Sequence, residues 1–198
     1  MVLARTVKPV ERVLAAVDPL LSAEVRRAFD RASAQTATPL PKDARWVLAG
    51  HRAAGKSTLL PLLAQLCGRP AVDLDAELER ERGAPIRDWF GADPAGFRAA
   101  ERAAFSRLPA NVLVAVGGGF LFHHADLLGD AAVILVPVSF DTYRERLLAD
   151  RTRPRLRPEL SLDEELRCTF EERERAHAAV RTVSLADALA AIVSGGRT

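Results

Sequence analysis

Residues 50–57 read Gly50-His51-Arg52-Ala53-Ala54-Gly55-Lys56-Ser57, a glycine-bounded loop closed by a lysine and a hydroxyl residue. Between a strand and a helix, a loop of this pattern turns successive backbone N–H groups toward one point, where an anion rests on the helix N-terminus. The Lys56 ammonium would add a point charge for the outer phosphates of a nucleoside triphosphate, and the Ser57 hydroxyl would serve as a ligand to Mg²⁺. The backbone of Gly50, Ala53, Ala54, Gly55, Lys56, Ser57 and Thr58 would form the cradle. The flanks suit that geometry. Arg45-Trp46-Val47-Leu48-Ala49 is a short apolar run before the loop, and Ser57-Thr58-Leu59-Leu60 opens an apolar helix after it. Lysine is scarce here, with only Lys8, Lys42 and Lys56 among 28 basic residues, yet one stands where phosphate chemistry needs it.

Three further constellations carry chemistry. Val72-Asp73-Leu74-Asp75 closes a second apolar run, and residues two apart on a strand share a face. Both carboxylates are therefore expected at the carboxyl edge of the sheet, where open α/β folds bind ligands. One acid would orient the water shell of a metal–nucleotide, and the other would hold or deprotonate an accepting hydroxyl. The plainer alternative has Asp73 merely ending a strand and Asp75 capping the next helix. Val114-Ala115-Val116-Gly117-Gly118-Gly119 places three glycines after another buried run, letting the backbone approach a ligand closely. Phe97-Arg98-Ala99-Ala100-Glu101 lies on an amphipathic pattern, where the plainer alternative pairs Arg98 with Glu101 on a solvated face.

Elements that must position these groups alternate from residue 44 onward, the signature of a parallel sheet with crossover helices. Strands are expected at 45–49, 70–74, 111–116, 132–136 and 181–185. Helices are expected at about 56–67, 75–82, 94–108, 121–128, 139–150, 162–179 and 186–193. Residues 9–35 show helical periodicity, and Asp18-Pro19 should break it into two helices, with Asp18 as cap and Pro19 at the first helical position. Thr36-Ala37-Thr38-Pro39-Leu40-Pro41 reads as a linker. The division is thus a helical extension and linker over 1–43 and a catalytic domain over 44–198. Arg151 to Pro158 should be an exposed irregular segment.

Bulk properties narrow the class. The 198 residues are 48% hydrophobic and 27% charged, with a net charge of +2, which gives no reason to invoke nucleic acid or an anionic membrane. No apolar run is long enough to span a bilayer, and the first twenty residues lack a signal-peptide core. Cys67 and Cys168 match no metal spacing and read as buried small apolar residues of a reducing compartment. A cytoplasmic protein is expected. His51, His123 and His124 resemble no ligand set and read as loop residues.

The order of GxxxxGKS, D-x-D, F-R-x-x-E, GGG and a late R-P segment resembles the shikimate kinase family from about residue 46 to 193. The resemblance implies a three-layer α/β/α fold of the nucleoside-monophosphate-kinase type, with a five-stranded parallel sheet and a mobile lid, here preceded by an N-terminal helical extension. It implies ATP-dependent phosphorylation of the 3-hydroxyl of shikimate. Lys56 would hold the outer phosphates, Ser57 and Asp73 would serve Mg²⁺, and Asp75 would grip the accepting hydroxyl. Arg98 and Arg173 would bind the substrate carboxylate, Gly117, Gly118 and Gly119 would serve the ring hydroxyls, and Phe90 and Phe97 would wall the pocket. Arg153 matches the lid arginine, and Arg146 a nucleotide-contacting arginine. The chain departs from the family in having Ala53 for a usual glycine and Arg155 for an apolar lid residue. It also has Arg175, His177 and Arg181 where proline, tyrosine and alanine are usual. Two other readings stand beside this one: a kinase for another small hydroxy acid such as a gluconate-like acceptor, and a nucleotide-binding regulatory module without catalysis. A monomer is expected, with the extension as a candidate dimerising hairpin.

Overall fold

The computed structural model of the chain describes residues 2–35, 37–150 and 155–195. Five strands form one parallel sheet: β1 (Trp46–Ala49), β2 (Ala71–Asp73), β3 (Leu113–Ala115), β4 (Ala132–Leu135) and β5 (Thr182–Ser184), in the order β2-β3-β1-β4-β5. Register is continuous across the centre, Val47 lying opposite both Val114 of β3 and Val133 of β4. Because strand side chains alternate, the central strands feed two cores. Trp46, Leu48, Leu113, Ala115 and Ile134 point to one face, and Val47, Ala49, Val114 and Val133 to the other.

Helices cover both faces. α1 (Val2–Ala15), α2 (Ser22–Ala34), α3 (Lys56–Cys67), α8 (Phe140–Ala149), α9 (Leu162–Ala178) and α10 (Leu185–Gly195) place residues in or against the first core. α4 (Leu74–Arg82), α5 (Ile86–Ala92), α6 (Pro94–Arg107) and α7 (Phe120–His124) build on the second. α6 starts at Pro94 with the Asp93 carboxylate accepting from Gly96 N at 2.8 Å, and it buries Phe97, Glu101, Ala104 and Phe105 along one stripe. α9 opens on a Ser161–Glu164 capping box and buries Leu166, Thr169, Arg173 and His177.

The N-terminal helices are built into the first core. Val10, Val13, Leu14, Val17 and Val25 are buried there, with α1 against α3 and α2 against α10. The break between them falls near Asp18-Pro19 as expected, but α2 begins only at Ser22, after Leu21. Asp18 does not cap it. Its carboxylate turns instead to Ser139 and Thr142 at the start of α8, a partnership 121 residues away in sequence. α5 also departs from expectation. Gly83, Pro85 and Asp93 bracket a stretch outside the expected helices, yet Ile86, Trp89 and Phe90 pack on the second core and make it helical. Cys67 is half-buried on α3, and Cys168 is exposed on α9 rather than buried. Among the described residues, no helix is long and apolar enough to cross a membrane.

Candidate active site

The loop after β1 wraps its own lysine. Lys56 Nζ donates to the carbonyls of Gly50 and His51 at 3.0 and 2.7 Å, which holds the ammonium over the loop. Gly55 has φ 90°, and Ala53 has φ 57°, the one described non-glycine residue in the left-handed region. A Cβ there costs about 1–2 kcal/mol, at the position where the family usually carries glycine. Ser57 Oγ donates to Asp73 Oδ2 at 2.6 Å, and Asp73 Oδ1 accepts from the backbone N–H groups of Asp75 and Ala76. Asp73 thus ends β2 and caps α4 while facing Ser57.

Asp75 reaches the site by a different route from the expected one. β2 stops at Asp73, so Asp75 occupies the first turn of α4 and not a strand position. Its carboxylate nevertheless points inward. An added Cβ on Gly117 would lie 3.1 Å from both Asp75 Oδ1 and Glu101 Oε1, so the two acids crowd one glycine. Burial, then the negative charge of Glu101, pushes the Asp75 carboxyl up to about 6, while Lys56 pulls it down. Asp75 Oδ1 is buried without a hydrogen-bond partner among the described residues.

Glu101 is fully buried and is the hub of this half of the site. Arg98 Nη1 donates to its Oε2 at 2.6 Å, and His124 Nε2 lies 3.0 Å from the same oxygen. Burial opposes ionisation of Glu101, but the hydrogen bonds and charges of His124 and Arg98 prevail and hold its carboxyl below the usual range. The Arg98–Glu101 pair therefore exists, though inside the protein and not on a solvated face. Arg98 also lies 4.9 Å from the ring centre of Phe97 and 5.3 Å from that of Phe90, which meet edge to face.

The glycine triplet joins the pieces. A Cβ on Gly118 would collide with Arg52 N of the phosphate loop at 2.5 Å. One on Gly119 would press on Arg98 Nη2 and Arg173 Nη2, at 3.1 and 3.3 Å, so both guanidinium groups meet there. Arg173 is buried, faces Phe122 at 4.5 Å, and its Nη1 has no hydrogen-bond partner among the described residues. Arg175, two residues on, is exposed.

Two cavities of about 500 Å³ each meet here. One is lined by Asp75, Phe90, Phe97, Arg98, Glu101 and Gly117–Gly119, the other by the phosphate loop, Asp73, Asp75 and Arg146. Arg52, Asp75, Gly118 and Asp150 line both, so they form one cleft at the carboxyl edge of the sheet. Arg146 Nη1 donates to Ala53 O at 2.7 Å, which places it on the loop. Arg153 lies outside the described residues. Just beyond, Arg155 pairs with the buried Glu165, and Leu156 N donates to that carboxylate at 2.7 Å, so the end of this segment is tied to α9. A larger cavity, about 810 Å³, opens near the amino ends of β4 and β5 beside the linker, without a comparable set of convergent charged groups.

Sequence reasoning missed two histidines. His124 closes α7 and serves Glu101 from within the core. His51 is buried, stacked on Phe170 at 4.0 Å and 2.7 Å from Glu174, so it ties the phosphate loop to α9. Burial is the main reason its imidazole falls to about 4, leaving it neutral. Neither had a local signal, since each partner lies on a distant helix.

A parallel five-stranded sheet with an anion loop after its central strand, opposed acids and two converging arginines defines a P-loop phosphotransferase with an anionic acceptor pocket. The family model described as shikimate kinase matches residues 52–192. The shikimate kinase of Rhodopirellula baltica is 35% identical over 137 residues, 64% of this chain and 73% of that protein. That of Halorhodospira halophila is 40% identical over 120 residues, 57% of this chain and 67% of that protein. Among solved structures, a shikimate kinase from Acinetobacter baumannii in complex with shikimate superposes with a TM-score of 0.65 at 26% identity, covering 83% of this chain and 96% of that one. The Aquifex aeolicus shikimate kinase gives 0.61 at 24% identity, covering 77% and 98%, a likeness of fold. The chain belongs to the shikimate kinase family.

Proposed function

We infer that the protein transfers the γ-phosphoryl group of ATP to the 3-hydroxyl of shikimate, giving shikimate 3-phosphate and ADP. The observation that carries this reading is a pair of buried atoms without partners among the described residues: Asp75 Oδ1, on the cleft wall, and Arg173 Nη1, in a small pocket that shares Arg52, Gly118 and Gly119 with the cleft. An acid poised for a hydroxyl and a guanidinium poised for a carboxylate are what a hydroxy-acid acceptor requires. Family membership selects shikimate over a gluconate-like acid.

The site roles follow from the chemistry. Lys56 and the loop amides neutralise the outer phosphates, and Arg146 steadies the loop through Ala53. Arg153 matches the family's closing arginine. Ser57 and Asp73 present hard oxygen donors 2.6 Å apart, a donor set that suits Mg²⁺. When bound, that ion would neutralise charge between the β- and γ-phosphates. Asp75 accepts the hydroxyl proton or holds the hydroxyl in line. Arg98, braced by Glu101, and Arg173 fix the carboxylate from either side of Gly119. Phe90 and Phe97 exclude water beside the ring. We further propose that the family-like unit of 44–198 works as a monomer together with the extension, because α1 and α2 bury their apolar faces in its core.

ADP release measured with shikimate, with gluconate and with no acceptor tests the reading. Turnover should depend on shikimate and fall by orders of magnitude in Lys56→Ala, with the circular dichroism spectrum unchanged. Folded wild-type protein that releases no extra ADP with shikimate would remove the assignment.

A further inference from the structure

We propose that the turn between α1 and α2, residues Ala16–Asp18, is a wall of the nucleotide cleft, built by a segment outside the region matched to the family. The proposal rests on the cleft over the phosphate loop taking ATP. Ala16 lines that cavity together with Gly55, Thr58 and Arg146. Its carbonyl oxygen lies 3.8 Å from where a Cβ on Gly55 would stand, so the extension closes on the loop itself. Lys56 and Ser57 mark the end of the cavity that takes the outer phosphates. In this proposal the side of the cavity lined by Ala16, Thr58 and Arg146 takes the nucleoside.

The turn is held there by a buried carboxylate. Asp18 is fully buried and accepts four hydrogen bonds: from Leu20 N at 2.9 Å, Ser139 N at 2.7 Å, Ser139 Oγ at 2.9 Å and Thr142 Oγ1 at 2.8 Å. Three of the four come from the start of α8, the helix that carries Arg146 to the Ala53 carbonyl. Asp18 therefore fixes three things at once: the turn, α8, and through Arg146 the back of the phosphate loop. Desolvation raises its carboxyl, but the hydrogen bonds prevail and keep it below its ordinary value, so it is ionised at neutral pH. Val17, its neighbour, is buried in the first core, and α1 packs along α3, the helix that begins at Lys56.

The ligand chemistry is the nucleoside part of ATP, and tripolyphosphate, which lacks it, separates wall from cradle. Calorimetric affinities for ATP and tripolyphosphate would be measured on wild type, Ala16→Leu, Asp18→Asn and Lys56→Ala. Ala16→Leu, which adds bulk where Ala16 lies between the first core and the cavity, should weaken ATP about tenfold and leave tripolyphosphate within twofold. Asp18→Asn, which turns an N–H toward Ser139, should raise KM for ATP at least fivefold while the shikimate KM stays within twofold. If Asp18→Asn does not fold, Ala16→Leu decides alone. Folded Ala16→Leu with unchanged ATP affinity, or with both ligands weakened equally, overturns the proposal. Wild type that binds neither ligand, or Lys56→Ala that binds both like wild type, would instead bring down the nucleotide reading beneath it.

Discussion

Glu101→Gln should move the acidic limb of turnover to lower pH, because it removes the like charge that opposes ionisation of Asp75. The Asp75 carboxyl is pushed up to about 6, by burial first and by Glu101 next. Turnover that needs its carboxylate therefore fades as pH falls through about 6. Asp75 Oδ1 and Glu101 Oε1 both lie 3.1 Å from one point beside Gly117, so they are no more than about 6 Å apart. Two unit charges at that distance interact by about 3 kcal/mol at an effective dielectric of about 20. Salt and solvent in the open cleft screen the pair further, leaving about 1–1.5 kcal/mol. At about 1.4 kcal/mol for each pH unit, the limb should fall by about one unit. The assay is kcat/KM for shikimate at saturating ATP from pH 5 to 8, for wild type and variant side by side. Glutamine still accepts from Arg98, so the shikimate KM at pH 8 should rise less than tenfold. A limb that stays in place, or moves to higher pH, would refute the coupling of Glu101 to Asp75.

Ala53→Gly should relieve the φ 57° conformation and, after the added flexibility of the unfolded chain, stabilise the protein by about 0.5–1 kcal/mol in denaturant titrations; a lower midpoint would contradict the strain. Asp75→Asn should abolish turnover yet raise stability above pH 7. Its folded pKa lies above the ordinary 3.8, so the stability it contributes is present at low pH and lost as pH rises through about 6. The gain should be on the order of 2 kcal/mol and should vanish near pH 4. Arg98→Lys should raise the shikimate KM by about 10- to 100-fold through loss of the planar fork, with the ATP KM within twofold. A rise in the ATP KM alone would place Arg98 on the wrong ligand.

What could be read from the residues was the chemistry written locally. The phosphate loop is a backbone device eight residues long, so its glycines, lysine and hydroxyl declare it. The strands around it follow from apolar runs, and α6 from its cap and stripe. Asp75 lines the cleft by a route other than the expected strand face, since β2 ends at Asp73 and the first turn of α4 aims the side chain. Arg173 came only from family likeness, and the structure supplies its physical basis: a buried guanidinium beside Gly119. Long-range partnerships were illegible. Asp18 looks like a helix cap, and its contacts with Ser139 and Thr142 appear only once the fold brings α8 to it. His124, in the apolar run Phe120-Leu121-Phe122-His123-His124, gives no hint that Glu101 waits 23 residues earlier.

A crystal structure of the protein with shikimate and ADP tests most directly whether one cleft unites acid, arginines and phosphate loop. The ring should lie with its 3-hydroxyl within hydrogen-bond distance of Asp75 and its carboxylate between Arg98 and Arg173, with the ADP β-phosphate on the Lys56 loop. Shikimate bound with its carboxylate away from both arginines, or its 3-hydroxyl out of reach of Asp75, would contradict it.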